Sequence, residues 1–510
     1  MSNHSASCWT SLPTLQLQSH FAQLPGHLYT RMEPTPLPDP RLVSANVKVA
    51  EQLGIDPCSL QPDLLASLMG GHELPEQAAP LAMKYAGHQF GVYNPQLGDG
   101  RGLLLGELAV PQADGSEQLW DLHLKGAGQT PYSRMGDGRA VLRSSLREYL
   151  IGEALTYLNI PSTRALALCV NSQQVVRERL EPGATIIRVS RSHVRFGHFE
   201  HLYYSRQHDD LKVLADYCLE RWYPQCRDAE KPYLAMFKAI SQASAHTVAG
   251  WIAYGFLHGV MNTDNMSILG ETFDHGPFAF IDRWKENAVY NHTDREGRYA
   301  FDKQPDVMHW NLSALAQALT PIIDVEDLKA ELENFPDYYQ QAYLKRMRER
   351  LGLAFEDEGD SELLRRWRAL LNMNEVDFNP LYRALAEGQS EQDGQPVIDR
   401  AALQAFRDQL GEPSQSLWLD SWLKDYEARL TLESRNAAKR QAAMLAVNPV
   451  YILRTRVTDQ LISEAEKGNF QPVQDWLQVL QNPFEQHHGI ADELRWAPDS
   501  KQLTMLSCSS

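Results

Sequence analysis

Cysteine is scarce, with six in 510 residues. Cys8, Cys58, Cys169, Cys218, Cys226 and Cys508 make no C-x-x-C pair and no Cys/His ligand spacing, which argues against a zinc site and against a disulfide scaffold. Long hydrophobic runs are missing too. The longest, Val248 to Leu257, falls well short of the roughly 20 residues a membrane span needs. Positive charge is in deficit: 48 Lys plus Arg against 65 Asp plus Glu leaves −17. A polyanion is repelled by such a surface on average, so no nucleic-acid partner is expected. A small phosphorylated ligand stays open, because a few arginines in a cleft suffice. From Met1 to Arg31 there is no basic start followed by an apolar block, and no arginine precedes Arg31. Neither a secretory signal nor a transit peptide is expected, which points to a cytoplasmic protein without a membrane partner.

What is present is ordinary globular material, 43% apolar and 22% charged. At about 150 residues per domain the length suits three folding units or one large two-lobed one. Residues 1–80, rich in Pro and Leu, predict an irregular arm. Residues 81–205 read as a β-rich lobe. Leu119–Lys125 alternates, with Trp120, Leu122 and Leu124 on one face and Asp121, His123 and Lys125 on the other. Apolar spacing between Arg139 and Leu158 predicts a helix, and Gln173–Leu180 with Thr185–Ser190 predicts a hairpin turning at Glu181-Pro182-Gly183. A crossing segment is expected near His198 to Asp210. Helices then dominate residues 206–320 and an extension over 321–510, with predicted spans 233–256, 324–353, 362–371, 401–410, 417–439 and 450–467. One small hairpin is expected over Ile268 to Asp282. A β-rich lobe followed by a helical lobe favours a ligand cleft between them.

Several residues in this layout carry chemistry. Gly98-Asp99-Gly100-Arg101-Gly102, between strand candidates, either makes tight turns or lets backbone N–H groups approach a phosphate. Lys125 ends a strand and Glu148 follows on a helix, a pairing that kinase-like folds use to aim an ammonium at nucleotide phosphates. The run His258-Gly259-Val260-Met261-Asn262-Thr263-Asp264-Asn265 places an asparagine seven positions after a histidine, as in the His-Arg-Asp-x-x-x-x-Asn kinase loop. The motif's catalytic aspartate falls at Val260, which cannot accept a proton. Nine residues past Asn265 comes Asp274-His275-Gly276, similar to the Asp-Phe-Gly metal motif. Asn265 and Asp274 offer oxygen ligands to a hard cation such as Mg²⁺ or Mn²⁺. Asp264 is the nearby carboxylate able to replace the missing base.

The runs YAGHQFGVYNPQLGDGRG, LKGAGQTPYSRMGDGRAVLRSSLREYL and HGVMNTDNMSILG closely resemble the selenoprotein O family, also called the YdiU family, over most of the chain. The resemblance implies an α+β, protein-kinase-like bilobal fold that binds ATP flipped and transfers AMP to Ser, Thr or Tyr hydroxyls of proteins. It implies Lys125 on phosphate with Glu148 as its helix partner, nucleotide contacts from Gly98, Gly100, Arg101, Asp137, Gly138 and Asp274, and phosphate-gripping arginines at Arg188 and Arg195. Asp264 then corresponds to the proton acceptor, and Asn265 with Asp274 to the metal pair. In the flipped orientation the γ end is buried among cations, the α-phosphate faces outward and pyrophosphate leaves. Some family members carry selenocysteine near the position of Cys508, and a thiol on a loose tail is open to oxidation. Where many relatives have a cysteine before the Asn-His-Ser/Thr-Asp run, this chain has Tyr290. Kinase-type phosphoryl transfer, UMP transfer from UTP and a catalytically silent nucleotide-binding scaffold are the alternatives.

Overall fold

Residues 10–373, 375–410, 412–499 and 505–507 are described by a computed structural model. Cys8 and Cys508, including the redox reading of the latter, lie outside them. The first eighty residues are more regular than their Pro and Leu content predicts. Strands β1 (Leu17–Gln18), β2 (Tyr29–Arg31) and β3 (Arg41–Ala45) all join the main sheet, and helices α1 (Val47–Gln52) and α2 (Pro62–Met69) follow. Asn46 caps α1 by accepting from Val49 N at 3.3 Å, and Pro62 opens α2 where its missing N–H has no partner to lose.

The chain continues through β4 (Leu81–Met83), a separate hairpin of β5 (Gly87–Gln89) and β6 (Val92–Asn94), then β7 (Gly102–Pro111), β8 (Glu117–Lys125), β9 (Ala140–Val141), α3 (Leu142–Tyr157), β10 (Arg164–Val176) and β11 (Leu180–Ser190). The main sheet is antiparallel, ordered β2-β4-β7-β8-β11-β10-β3, with β1 added to β7 and β9 to β11. The alternation in β8 assigns its faces. Leu122 and Leu124 are buried with Val49, Leu65 and Leu68 of α1 and α2, while Lys125 faces α3. On that side Leu146, Tyr149 and Leu150 of α3 are buried with Leu168 and Ile186. Each such side chain contributes about 1.5–3 kcal/mol, so α3 is held firmly under the sheet.

One sequence expectation fails here for an identifiable reason. Val176 pairs with Leu180, so the β10–β11 turn is Arg177–Arg179 and Glu181-Pro182-Gly183 lies inside β11. A bulge in β10 between Val170 and Gln174 accommodates Pro182, and a side chain at Gly183 would press on Asn171 Oδ1 at 2.6 Å. The segment near His198–Asp210 is largely helical, forming α4 (Phe196–Tyr204) and the start of α5 (His208–Arg221).

Helix α6 (Pro232–Tyr254) stops at Gly255, whose φ of 75° makes a left-handed cap. Then β12 (Phe256–Leu257) pairs with β13 (Ala279–Phe280). The apolar runs of 268–282 therefore do not pair with each other. Thr272 bridges Met266, and Ala279–Phe280 finds its partner in Phe256–Leu257, before the 258–265 loop. Helix α7 (Gln304–Leu319) follows. The long pattern at 324–353 divides into α8 (Val325–Leu332) and α9 (Phe335–Arg350), with Pro336 in the first turn of the second. Beyond lie α10 (Asp360–Asn372), α11 (Phe378–Glu387), a hairpin of β14 (Gln389–Gln392) and β15 (Gln395–Ile398), α12 (Gln404–Arg407), α13 (Pro413–Leu430), α14 (Ala437–Leu445), α15 (Thr455–Glu466) and α16 (Gln471–Gln481). The last two return to α3: Arg147 donates to Thr458 Oγ1 at 3.0 Å, and Gln481 reaches Glu153 at 2.8 Å. The architecture is mixed α/β, with a large antiparallel sheet and a helical C-terminal region. Among the described residues no helix is long and apolar enough to cross a membrane.

Candidate active site

Between the sheet and the 258–265 loop lies a cavity of about 420 Å³. It brings together Gly98, Gly100, Arg101, Lys125, Asp137, Gly138, Arg188, Arg195, Asp264, Asn265 and Asp274, all anticipated from sequence. Glu148 stands behind them on α3. Its Oε2 pairs with Lys125, and its Oε1 accepts from Arg188 Nε at 2.9 Å. Arg188 also donates to Asp274 Oδ1 at 2.7 Å, and Arg195 pairs with the other Asp274 oxygen. The result is a buried chain of alternating charge, Lys125–Glu148–Arg188–Asp274–Arg195.

The electrostatics follow from that chain. Burial lowers Lys125 to about 8, against the pull of Glu148. Burial pushes Glu148 up, but Arg188 and Lys125 outweigh it and hold the carboxyl at about 2. Asp274, opposed in the same way by burial, is kept well below the usual carboxylate range by Arg195 and Arg188. Both guanidiniums lie over the Phe273 ring, Arg188 at 5.8 Å and Arg195 at 5.2 Å from its centroid.

The glycine clusters pack on one another. Gly128 N donates to Gly138 O at 3.1 Å and Gly126 N to Arg101 O at 2.6 Å. Gly138 has a φ of 70°, and a Cβ there would overlap the backbone of Gly128 and Gln129. Asp99 ties the first cluster down, accepting from Met83 N at 3.0 Å and contacting His123 Nε2 at 3.2 Å. The Asp137 carboxylate is engaged by Arg177 at 2.7 Å, so it braces the second cluster. Arg101 forms no side-chain hydrogen bond or ion pair among the described residues. With Lys125, Arg134, Arg139, Arg188 and Arg195 it lines the cavity, a concentration of cations inside a chain of net charge −17.

His258 Nε2 meets Phe273 O at 2.7 Å, which fixes the Asp274 loop to the 258–265 loop. Val260 lines the cavity and is buried. Asp264 sits on a short 3₁₀ turn, Thr263–Asn265. Gln89 Nε2 donates to its Oδ2 at 3.1 Å, while its Oδ1 is buried without a partner. Burial raises this carboxyl to about 7, with Arg195 pulling it down. Asn265 Nδ2 donates to Val260 O at 3.0 Å, which leaves its amide oxygen as the atom it can offer a cation.

Among the described residues no three His, Cys, Asp or Glu side chains form a metal cage. The donors available are oxygens only: the Asn265 amide, the Asp274 carboxylate and the unpartnered Asp264 Oδ1. That set fits Mg²⁺ or Mn²⁺ bound jointly with phosphate oxygens and water. Sequence reasoning missed Gln89, Tyr85, Asp99, Phe273 and His123 as parts of this site. Two signals were present. His123 shares the polar face of β8 with Lys125, and Phe273 directly precedes Asp274.

A cation-lined cleft with a buried lysine–glutamate pair and hard oxygen donors opposite has the chemistry of an enzyme handling a nucleoside polyphosphate. The family model described as protein adenylyltransferase SelO matches residues 11–481. The chain is 47% identical to a protein nucleotidyltransferase YdiU of Pseudomonas aeruginosa (strain LESB58) over 98% of this chain and all of the relative. It is 48% identical to one of Pseudomonas putida (strain GB-1), again over 98% and 100%, and 46% identical to one of Hahella chejuensis over 99% and 100%. The chain belongs to the SelO/YdiU family of protein adenylyltransferases and is a nucleotidyltransferase.

Proposed function

We propose that the chain has the bilobal layout of a protein kinase and uses it in the cytoplasm to transfer AMP from ATP to Ser, Thr or Tyr hydroxyls of proteins. Residues 81–205 serve as the nucleotide lobe, 206–320 as the helical lobe with the catalytic loop, 1–80 as an arm and 321–510 as a helical extension. ATP lies with its γ end inward, against Arg188, Arg195 and Lys125, the last held by Glu148. Arg101 and the backbone of Gly98, Gly100 and Gly138 hold the outer phosphates and ribose, and Asp137 braces that loop. Asn265 and Asp274 would hold Mg²⁺ or Mn²⁺, which when bound supplies charge neutralisation at the phosphates.

The acceptor oxygen attacks the α-phosphorus as the bond to the α–β bridging oxygen breaks. Pyrophosphate leaves with that electron pair, and the acceptor proton goes to Asp264. Arg188 and Arg195, as bidentate donors in a dry cleft, are suited to the charge that accumulates on pyrophosphate. The observation that carries this reading is the make-up of the cavity: two buried guanidiniums, and beside them a carboxylate with one unpartnered oxygen, whose backbone carbonyl accepts from Arg195 at 2.9 Å. Incubation with α-labelled and separately γ-labelled ATP tests it. Protein label from the α position alone is expected. Label from γ alone would mean a kinase, and none would mean a scaffold. α-labelled UTP run beside ATP reads the base preference.

A further inference from the structure

The hairpin β5–β6 stands apart from the main sheet and is bound to the catalytic loop instead. His88 N donates to Thr263 Oγ1 at 2.7 Å, Phe90 N donates to Tyr299 Oη at 2.9 Å, and Tyr299 donates to Asn262 Oδ1 at 2.7 Å. A side chain at Gly87 would press on Thr263 Oγ1 at 2.9 Å. Gln89 faces the cavity and holds Asp264. The neighbouring side chains form a surface. His88, paired with buried Glu200, lies 5.3 Å from the rings of both Tyr93 and Trp310, and the Tyr93 ring lies tilted 4.1 Å from that of Tyr204.

This surface exposes apolar area that the fold does not use. Val92 is 71% exposed, and Phe90, Tyr204 and Trp310 are each more than a third exposed. Phe90 has a φ of 51°, a conformation that is strained for an aromatic residue. Among the described residues β6 pairs only with β5, so its outer edge is open. At the rim Arg298 lies 4.6 Å over the Trp310 ring, next to Gly91, and forms no ion pair with any described residue.

We infer that this hairpin surface docks the hydroxyl-bearing segment of the acceptor protein. The segment lies extended along β6, places an apolar side chain on Phe90 and Val92, and places an acidic side chain on Arg298. Continuity with the cavity selects this occupant. A polypeptide that brings a hydroxyl to Asp264 passes the hairpin whose next residue holds that carboxylate. The unpaired cation supplies charge complementarity, and an open strand edge with alternating pockets is a common mode of peptide capture. The inference rests on the reading that the acceptor hydroxyl approaches Asp264.

The test uses the full-length enzyme, α-labelled ATP and short synthetic peptides with one central tyrosine. Their flanks are Leu plus Glu, Leu plus Lys, or Gly and Ser alone. The Leu/Glu peptide is expected to be labelled about tenfold more efficiently than the other two. Val92→Ser and Phe90→Ser should lower labelling of that peptide about tenfold with ATP affinity unchanged, and Arg298→Glu should transfer the preference to the Leu/Lys peptide. Equal labelling of all three, or none, beside labelled protein in a lysate would overturn the docking inference and leave AMP transfer standing. An Arg298→Glu variant with unaltered preference would overturn it too. Absence of α-label on any protein would overturn the underlying reading and the inference with it.

Discussion

Gln89 and Asp264 lie 175 positions apart and are joined by a 3.1 Å hydrogen bond. The bond uses one carboxylate oxygen and leaves the other buried and unpartnered, so Asp264 is oriented without being saturated. Removing its basicity at constant shape separates chemistry from binding. Asp264→Asn is expected to slow α-label transfer at least about a hundredfold, with ATP affinity within a few-fold of the native protein by calorimetry. An equal fall in both would make Asp264 a structural residue.

Lys125 gives a pH dependence. Burial lowers its amine to about 8, so the charged form that attracts phosphate is complete below that pH and is lost as pH rises through it. ATP affinity should therefore weaken between pH 7 and 9, with net proton uptake on binding at the upper end. Calorimetry in two buffers of different ionisation enthalpy measures that uptake. Lys125→Met should lower affinity and abolish the uptake.

Arg188 separates Glu148 from Asp274, and both carboxylates depend on it. Arg188→Met should cost about 3–5 kcal/mol in denaturant unfolding, because it breaks a buried ion pair with Glu148 and takes one of two cationic partners from Asp274. Adding Glu148→Gln should recover part of that stability without recovering ATP binding. Recovery of both would show that Arg188 serves packing only.

Gly138 and Gly115 both have left-handed backbones, with φ of 70° and 84°. A side chain at Gly115 meets nothing within 4 Å, whereas one at Gly138 overlaps the facing loop. Gly115→Ala should cost about 1 kcal/mol and leave ATP binding intact. Gly138→Ala should weaken ATP binding about tenfold or more by separating the two glycine clusters. Equal behaviour of the two variants would remove the loop from the nucleotide site.

Part of this site is legible in the chain because its signals are local. The alternation of β8 gives Lys125 its face, and the seven-residue spacing from His258 picks out Asn265, which with Val260 lines the cavity. Signals that depend on distant partners are not legible. Glu181-Pro182-Gly183 has turn composition, and only the bulge opposite it reveals that it lies inside a strand. Residues 268–282 imitate a hairpin because two short apolar runs flank Asp274, yet β13 takes its partner, β12, from before the 258–265 loop.

Composition and local spacing alone determined that this chain is mixed globular material with no apolar run long enough to span a membrane, and which lysine, glutamate, asparagine and aspartates could serve a phosphorylated ligand. Long-range packing decided the rest. It put Arg188 between two carboxylates, placed Gln89 on Asp264 and returned α15 and α16 to brace the helix that carries Glu148. The physical reason is one of range. Side-chain periodicity reports which way a residue faces along its own element, whereas the electrostatics of a buried group depend on charges supplied by other elements, 40 residues away for Arg188 on Glu148 and 86 for Arg188 on Asp274.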